Sequence, residues 1–178
     1  MQKTKKTVRK ITNMAMMIAL SVVIGIFCKS VLNFGNGLFR ITFENLPIIL
    51  TGIALGPIAG GVVGLASDII SYLLSPQVYP LNVVVTIGAM TIGVLSGLIA
   101  KYVIKHRCKM QIIVSSFVAH LVGSMIIKSI GLYSYYGVLV LWRIPLYFVI
   151  TTIEIVLLCL LLQSKAFSKT VGYIEELK

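Results

Sequence analysis

The sequence contains few charged residues for its length, and acidic residues are the scarcest of them. Only 12% of its 178 residues are charged, with 5 acidic residues against 16 basic ones. A soluble domain carries about 25% charged residues, so this chain could not cover a water-facing surface. Because 58% of its residues are hydrophobic and its mean hydropathy is +1.00, we expect most of the chain to lie in lipid.

The sequence also lacks the motifs of enzymes and of ATPases. It contains no GxxxxGK[ST] phosphate-binding loop, no HExxH, no GxSxG and no paired-carboxylate motif. Its three cysteines, Cys28, Cys108 and Cys159, are widely spaced and form no CxxC or metal-type cluster. We therefore expect a protein that is not an enzyme, has no cofactor or metal, and takes any energy it uses from a partner.

The basic residues that are present lie next to apolar segments. Twelve of them are Lys3, Lys5, Lys6, Arg9, Lys10, Lys101, Lys105, Arg107, Lys109, Lys165, Lys169 and Lys178. This arrangement follows the positive-inside rule of membrane proteins and does not suggest nucleic-acid binding. It predicts a basic cytoplasmic N-terminus at residues 1–10 and a cytoplasmic tail at residues 166–178.

Six apolar segments cover most of the chain. They are residues 11–32, 45–56, 59–74, 81–104, 110–127 and 137–162. A helical span needs about 20 residues, so the second and third segments are short. Reading them as one span would place the basic gap 101–109 on the outer side, and Gly56-Pro57 breaks a helix there. The sequence thus predicts an all-α membrane protein, one domain over residues 1–178, with six transmembrane helices and both termini cytoplasmic. The outward connections would be the loops 33–44, 75–80 and 128–136.

Small residues recur at helical spacing in four places. Three are glycine pairs: Gly52/Gly56, Gly60/Gly64 and Gly93/Gly97. Such pairs let helix backbones approach closely, so we expect them to pack inside the bundle. The fourth pair, Ala15 and Ala19, lies near the inner end of the first helix and is available to an external partner helix.

Charged residues within or at the outer ends of the apolar segments are the candidates for function. They are Arg40, Asp68, Lys128, Arg143 and Glu154. Ionisable groups in lipid are costly unless they are paired or hydrated. With about 1.5 Å per residue, Asp68 lies about 13 Å along the third helix, in mid-membrane. Its carboxylate needs a cation or N–H donors, so it either pairs with Arg143 or Lys128 or contacts a ligand.

The aromatic residues beside these charges have two interpretations. Tyr72, one turn beyond Asp68, and Trp142, next to Arg143, could stack on a planar ligand or belong to an interfacial aromatic belt. Arg143 itself suits bidentate recognition of a carboxylate, or it snorkels to water. Glu154 is expected to be structural or to face a partner, and His120 to be a hydrogen-bonded packing residue.

Two stretches carry a resemblance to a known family. They are residues 40–68, RITFENLPIILTGIALGPIAGGVVGLASD, and residues 142–145, WRIP, beside the Ala15/Ala19 pair. With the length and the six-helix plan, they resemble the substrate-binding S component of energy-coupling factor (ECF) vitamin transporters, and most closely the folate-specific branch.

The resemblance implies that the chain binds folate or a reduced folate from outside a bacterial cell, as a multi-pass protein of the plasma membrane. It would work with a transmembrane coupling subunit, docked at Ala15 and Ala19, and with two ATPases. Asp68 suits the N–H donors of a pterin, Tyr72 or Trp142 could stack on its rings, and the glutamate tail suits Arg40, Lys128 or Arg143. The alternatives are an S component for riboflavin or thiamine and a non-transporting scaffold. Neither of those vitamins would need three basic groups.

Overall fold

Seven α-helices and two very short strands form the part of the chain that the computed structural model describes. That part is residues 2–34, 39–74, 81–104 and 109–163, without the side chains of residues 2, 3, 33, 34, 39 and 40. The elements are α1 (Gln2–Val31), β1 (Asn33–Phe34), β2 (Phe39–Arg40), α2 (Asn45–Leu55), α3 (Pro57–Leu74), α4 (Val83–Leu98), α5 (Lys109–His120), α6 (Ser129–Tyr136) and α7 (Arg143–Gln163). The predicted tail 166–178 and outer loop 75–80 lie outside the described residues.

The first helix is longer than its apolar segment. α1 contains 30 residues, about 45 Å at 1.5 Å per residue, whereas the hydrocarbon core is about 30 Å thick. The basic residues Lys5, Lys6, Arg9 and Lys10 are exposed on its first turns. The N-terminal basic segment is therefore a helical extension of the first span, and not a separate element.

The predicted break between the second and third helices is confirmed. α2 ends at Leu55, Gly56 adopts a positive φ of 96°, and Pro57 begins α3. Glycine tolerates this backbone conformation, and proline is well suited to the first position of a helix. The turn is Gly56 alone, and α2 is short, with 11 residues.

The glycine pairs of α3 and α4 lie where these helices touch each other and α2. A Cβ on Gly60 would collide with the backbone of Gly93, one on Gly64 with the backbone of Ala89, and one on Gly97 with Pro57. Internal packing is thus confirmed for these pairs. Gly56 is the exception, because nothing surrounds its Cβ position and it serves only the turn.

The expected outer connection 128–136 is helical and not an irregular loop. α5 continues as a π-helix (Leu121–Lys128), then come α6 and a 3₁₀ helix (Gly137–Trp142) before α7. Residues 128–136 contain no proline, and their one glycine, Gly131, packs tightly against Val84 and Val85 of α4. The break comes instead at Gly137, whose φ is +56°.

After Gly137 the chain returns to α5, against which α7 packs. His120 contacts Glu154, and the rings of Phe117 and Phe148 lie 6.4 Å apart. α5 and α7 are therefore neighbours.

Four of the described helices are long and apolar enough to cross a membrane. They are Thr4–Val31, Pro57–Leu74, Val83–Val103, which includes a π-helical end of α4 (Ile99–Val103), and the folded-back run Lys109–Gln163. α2 is apolar but shorter. Its Ile49 and Leu50, with Val63, Ile92 and Leu158, are fully buried and form the centre of the core.

Candidate functional site

Asp68 lies on α3 and faces α4. Its side chain is half-buried, and its Oδ2 accepts a hydrogen bond of 2.7 Å from the Thr86 hydroxyl. Thr86 is in the first turn of α4, which Asn82 caps through the backbone N–H groups of Val84 and Val85. One interpretation of Asp68 was an ion pair with Lys128. The described residues do not show that pair, because Lys128 lies against Glu44 and Asn45 instead.

A narrow crevice runs beside Asp68 between the first four helices. Its walls are Ser21, Glu44, Ile48, Ser67, Asp68, Ser71 and Ala89, and they lie too close together to enclose a water molecule. Ligand sites have volumes of about 300–1,000 Å³, so the walls of this crevice must separate before a small molecule can enter. Five of these seven lining residues have polar side chains, two carboxylates and three hydroxyls.

Glu44 is the second carboxylate of this crevice. It directly precedes α2, and its side chain makes no capping hydrogen bond to that helix. The side chain is instead turned into the bundle, where the residue is only 7% exposed. The Ser21 hydroxyl of α1 donates a hydrogen bond of 2.7 Å to the backbone carbonyl of Glu44 and fixes this position.

Lys128 is the partner of Glu44. Its Nζ lies 3.7 Å from Glu44 Oε1 and donates a hydrogen bond of 3.1 Å to Asn45 Oδ1. Lys128 ends the π-helical segment and is 6% exposed. Burial of an ammonium group costs several kcal/mol unless an opposite charge and hydrogen-bond acceptors compensate it, as they do here.

A second lysine lies close to the same crevice. Lys29 Nζ donates hydrogen bonds to the Ser71 hydroxyl at 2.6 Å and to the Ser71 carbonyl at 3.4 Å. Ser71 is one turn beyond Asp68 on α3 and is buried. This contact ties the end of α1 to the site.

The remaining predicted site residues lie in varied surroundings. Arg143 is 5% exposed, with its guanidinium carbon 5.5 Å from the centroid of the Tyr147 ring, so it does not snorkel outward as a surface residue would. Trp142 is 69% exposed, and Tyr72 is half-buried. Arg40 ends β2, and its side chain lies outside the described part of the chain.

His120 and Glu154 form a separate buried pair between α5 and α7. His120 Nε2 contacts Glu154 Oε2, and His120 Nδ1 lies 3.2 Å from the Ser124 hydroxyl. The two residues are 1% and 0% exposed. Of the two interpretations of Glu154, the structural one therefore holds, and the packing role expected for His120 is confirmed.

The structure thus unites Asp68 with Glu44 and, through Glu44, with Lys128. Glu44, Lys29 and Thr86 are not among the site residues predicted from the sequence. Glu44 was assigned to a loop, although its place immediately before a continuous apolar run could have indicated a carboxylate at a membrane-buried helix start. No group of three His, Cys, Asp or Glu residues that could hold a metal occurs within the described ranges.

Such a site can accept hydrogen bonds from a ligand at two carboxylates and can meet negative charge at buried basic groups.

The pair Ala15 and Ala19 is exposed on α1. That exposure leaves a small-residue surface on the outside of the bundle.

Comparisons with known proteins agree with this fold. The family model of the substrate-specific component of ECF transporters matches residues 9–173. A solved structure, described as FolT bound with folic acid, shares the fold with a TM-score of 0.61 at 23% sequence identity, over 83% of this chain and 86% of that one. A search of curated proteins gave no match. The family match spans nearly the whole sequence, and the chain therefore belongs to the substrate-specific components of ECF transporters.

Proposed function

We propose that this chain is the high-affinity folate-binding subunit of an ECF-type vitamin uptake transporter. The observation that carries the proposal is the polar crevice at Asp68, which combines hydrogen-bond acceptors with basic groups buried nearby. The likeness in fold to the folic-acid complex of FolT supports the same ligand class. Folate has an uncharged, donor-bearing pterin at one end and a dianionic glutamate at the other, and this site offers partners for both.

The proposed topology has six spans and both termini in the cytoplasm. The spans are α1, α2, α3, α4, α5 with its π-helical continuation, and α7. The exposed basic residues at the start of α1 and the basic residues Lys101 and Lys109 then lie on one side, as the positive-inside rule requires. This topology places Glu44, Asp68 and Lys128 in the outer half of a bacterial plasma membrane.

Asp68 is proposed to bind the pterin. A carboxylate accepts two adjacent N–H groups of a flat ring, and hydrogen bonds to a charged group are worth about 1.5–3 kcal/mol each. Thr86 orients the carboxylate by donating to Oδ2. Tyr72, one turn along α3, and Trp142 are the proposed aromatic contacts of the rings, and Arg40, Lys128 and Arg143 are the basic residues available to the tail.

Uptake is proposed to require the family's other subunits, a transmembrane coupling subunit and two ATPases. The sequence contains no phosphate-binding loop, so ATP would be hydrolysed by those partners. Ala15 and Ala19 are the proposed contact with the coupling subunit, because their small side chains allow close approach of another helix.

A titration of the purified protein in detergent tests the ligand. Isothermal calorimetry with folic acid, a reduced folate, riboflavin and thiamine should give tight binding of the folates alone. Binding of riboflavin or thiamine alone would reassign the vitamin. Absence of binding to all four would favour the alternative of a membrane scaffold.

Replacing Asp68 by Asn tests the pterin contact. The variant keeps the shape of the side chain and removes its charge, so we expect folic acid affinity to fall about 10- to 100-fold, the equivalent of about 1.4–2.8 kcal/mol. Thr91→Ala is the matched control, because Thr91 is half-buried on α4, does not line the crevice, and its hydroxyl donates to Ile87 of its own helix. Unchanged affinity in Asp68→Asn would remove Asp68 from the ligand site.

A further inference from the structure

The Glu44 carboxylate lies beside Gly25 of α1 and close to Ser71 of α3. A Cβ on Gly25 of α1 would lie 2.9 Å from Glu44 Oε2 and 3.1 Å from the Ser71 hydroxyl. Any larger residue at position 25 would push the carboxylate away. The space that Gly25 leaves is thus filled by the Glu44 carboxylate, at the wall of the crevice.

Lys128 has a matching glycine on α4. A Cβ on Gly88 would lie 2.7 Å from Lys128 Cγ, so the stem of the lysine crosses α4 where no side chain is present. This passage lets its ammonium reach Glu44 and Asn45. Two glycines on different helices therefore accommodate the two members of one ion pair.

The two members differ in their access to the crevice. Glu44 and Asp68 line it, whereas Lys128 does not, and its lining residues include no basic side chain. A group entering the crevice therefore meets two carboxylates, with Lys128 behind Glu44 and with Lys29 bonded to the hydroxyl of Ser71. Carboxylates attract N–H donors and repel other carboxylates, so the crevice suits the uncharged end of a ligand.

We propose that Glu44 is a second ligand-binding carboxylate, which together with Asp68 receives an uncharged planar heterocycle bearing adjacent N–H donors. Lys128 acts through Glu44 as a positioning residue, because it balances the charge of Glu44 and holds it at the crevice wall. This inference rests on the proposed function and deepens it: the pterin lies at the crevice, Lys128 no longer belongs to the tail site, and Arg40 and Arg143 remain for the tail.

The test compares folic acid with pteroic acid, which lacks the glutamate tail. Calorimetric titrations are made on the full chain and on Glu44→Gln, Lys128→Met and the double variant. We expect Glu44→Gln to weaken both ligands by about tenfold or more, by the same factor for each, since charge-assisted hydrogen bonds are lost at the shared ring. Lys128→Met should weaken both ligands equally, and it should add little when Glu44 is already Gln.

Other results would overturn the inference. If Lys128→Met weakens folic acid but not pteroic acid, Lys128 binds the tail. If Glu44→Gln leaves folic acid affinity unchanged or raises it, Glu44 does not bind the ring. Failure of the unmodified protein to bind either ligand would instead reject the proposed function, and the inference with it.

Two controls separate binding from folding. Ser30→Ala changes an exposed residue of α1 that bonds within its own helix and should leave both affinities unchanged. Glu44→Asp keeps the charge on a shorter side chain and should recover part of the affinity lost in Glu44→Gln. A Glu44→Asp variant that folds, as judged by thermal unfolding, and binds no better than Glu44→Gln would contradict a role for the charge.

Discussion

Two pairs of buried ionisable side chains join different helices of this bundle. Glu44 beside α2 meets Lys128 at the end of the π-helix, and His120 of α5 meets Glu154 of α7. Each pair links helices that are far apart in sequence. In a lipid-exposed bundle a charge without such a partner would cost several kcal/mol, so these contacts restrict how the helices can pack.

The His120–Glu154 pair gives a stability prediction at this scale. His120→Leu leaves the Glu154 carboxylate buried without its partner, and we expect a loss of about 3–5 kcal/mol in the free energy of unfolding. The double variant His120→Leu/Glu154→Leu should recover much of that loss, because both polar groups are gone. Unfolding in detergent, followed by circular dichroism, measures both. A double variant less stable than the single one would show that the pair is not an isolated unit.

At the scale of helices, the fold depends on the close approach of helix backbones at glycine residues. α2, α3 and α4 meet through glycines whose Cβ positions are filled by backbone atoms of a neighbour. Lipid supplies no hydrophobic force between helices, so packing at such contacts holds the bundle together. The same device serves the site, because Gly25 and Gly88 make room for Glu44 and Lys128.

Replacing Gly93 tests this packing. Gly93→Leu would place a side chain against the backbone of Gly60 and should force α3 and α4 apart, with a loss of roughly 1–3 kcal/mol or failure to fold. Met90→Leu on the same helix is the control, because Met90 is exposed. Thermal unfolding of the two variants compares them, and equal stability would mean that the interface can relax.

For the whole molecule, the outside of α1 around Ala15 and Ala19 is the proposed surface through which ligand binding is coupled to transport. Both residues are exposed, in a helix that otherwise contributes Met17 and Ser21 to the interior. Large side chains here would keep a partner helix at a distance without disturbing the crevice. The outside of α1 is therefore the proposed place of attachment for the energy-supplying subunits.

The variant Ala15→Leu/Ala19→Leu tests this assignment. Folic acid affinity of the purified protein should stay within about twofold, since the residues lie outside the crevice, whereas cellular folate uptake and co-purification with the coupling subunit should be lost. Loss of ligand binding would mean that the alanines support the fold. Ile11→Leu, a change at an exposed position of α1 that adds no volume, is the control.

The sequence alone determined the class of the protein and most of its helices. Low charge, long apolar segments and flanking basic residues predict a helical membrane protein because lipid leaves the backbone few other ways to satisfy its hydrogen bonds. Gly56-Pro57 marked the α2–α3 break, since both residues act through local backbone geometry. The predicted family is confirmed by the match over residues 9–173.

Only the tertiary structure decided which charges meet. Asp68 was predicted from its depth in a helix, but its partner Thr86 is 18 positions away. Lys128 pairs with Glu44, which is 84 positions away, and bonds to Asn45, which is 83 away. Lys29 bonds to Ser71, 42 positions along the chain. The helical conformation of residues 128–136 was also missed, because the packing of Gly131 on α4 stabilises it and no local pattern records that contact. The periodicity and composition of a sequence indicate whether a segment lies in lipid or in water, whereas the partners of its side chains depend on how the helices pack.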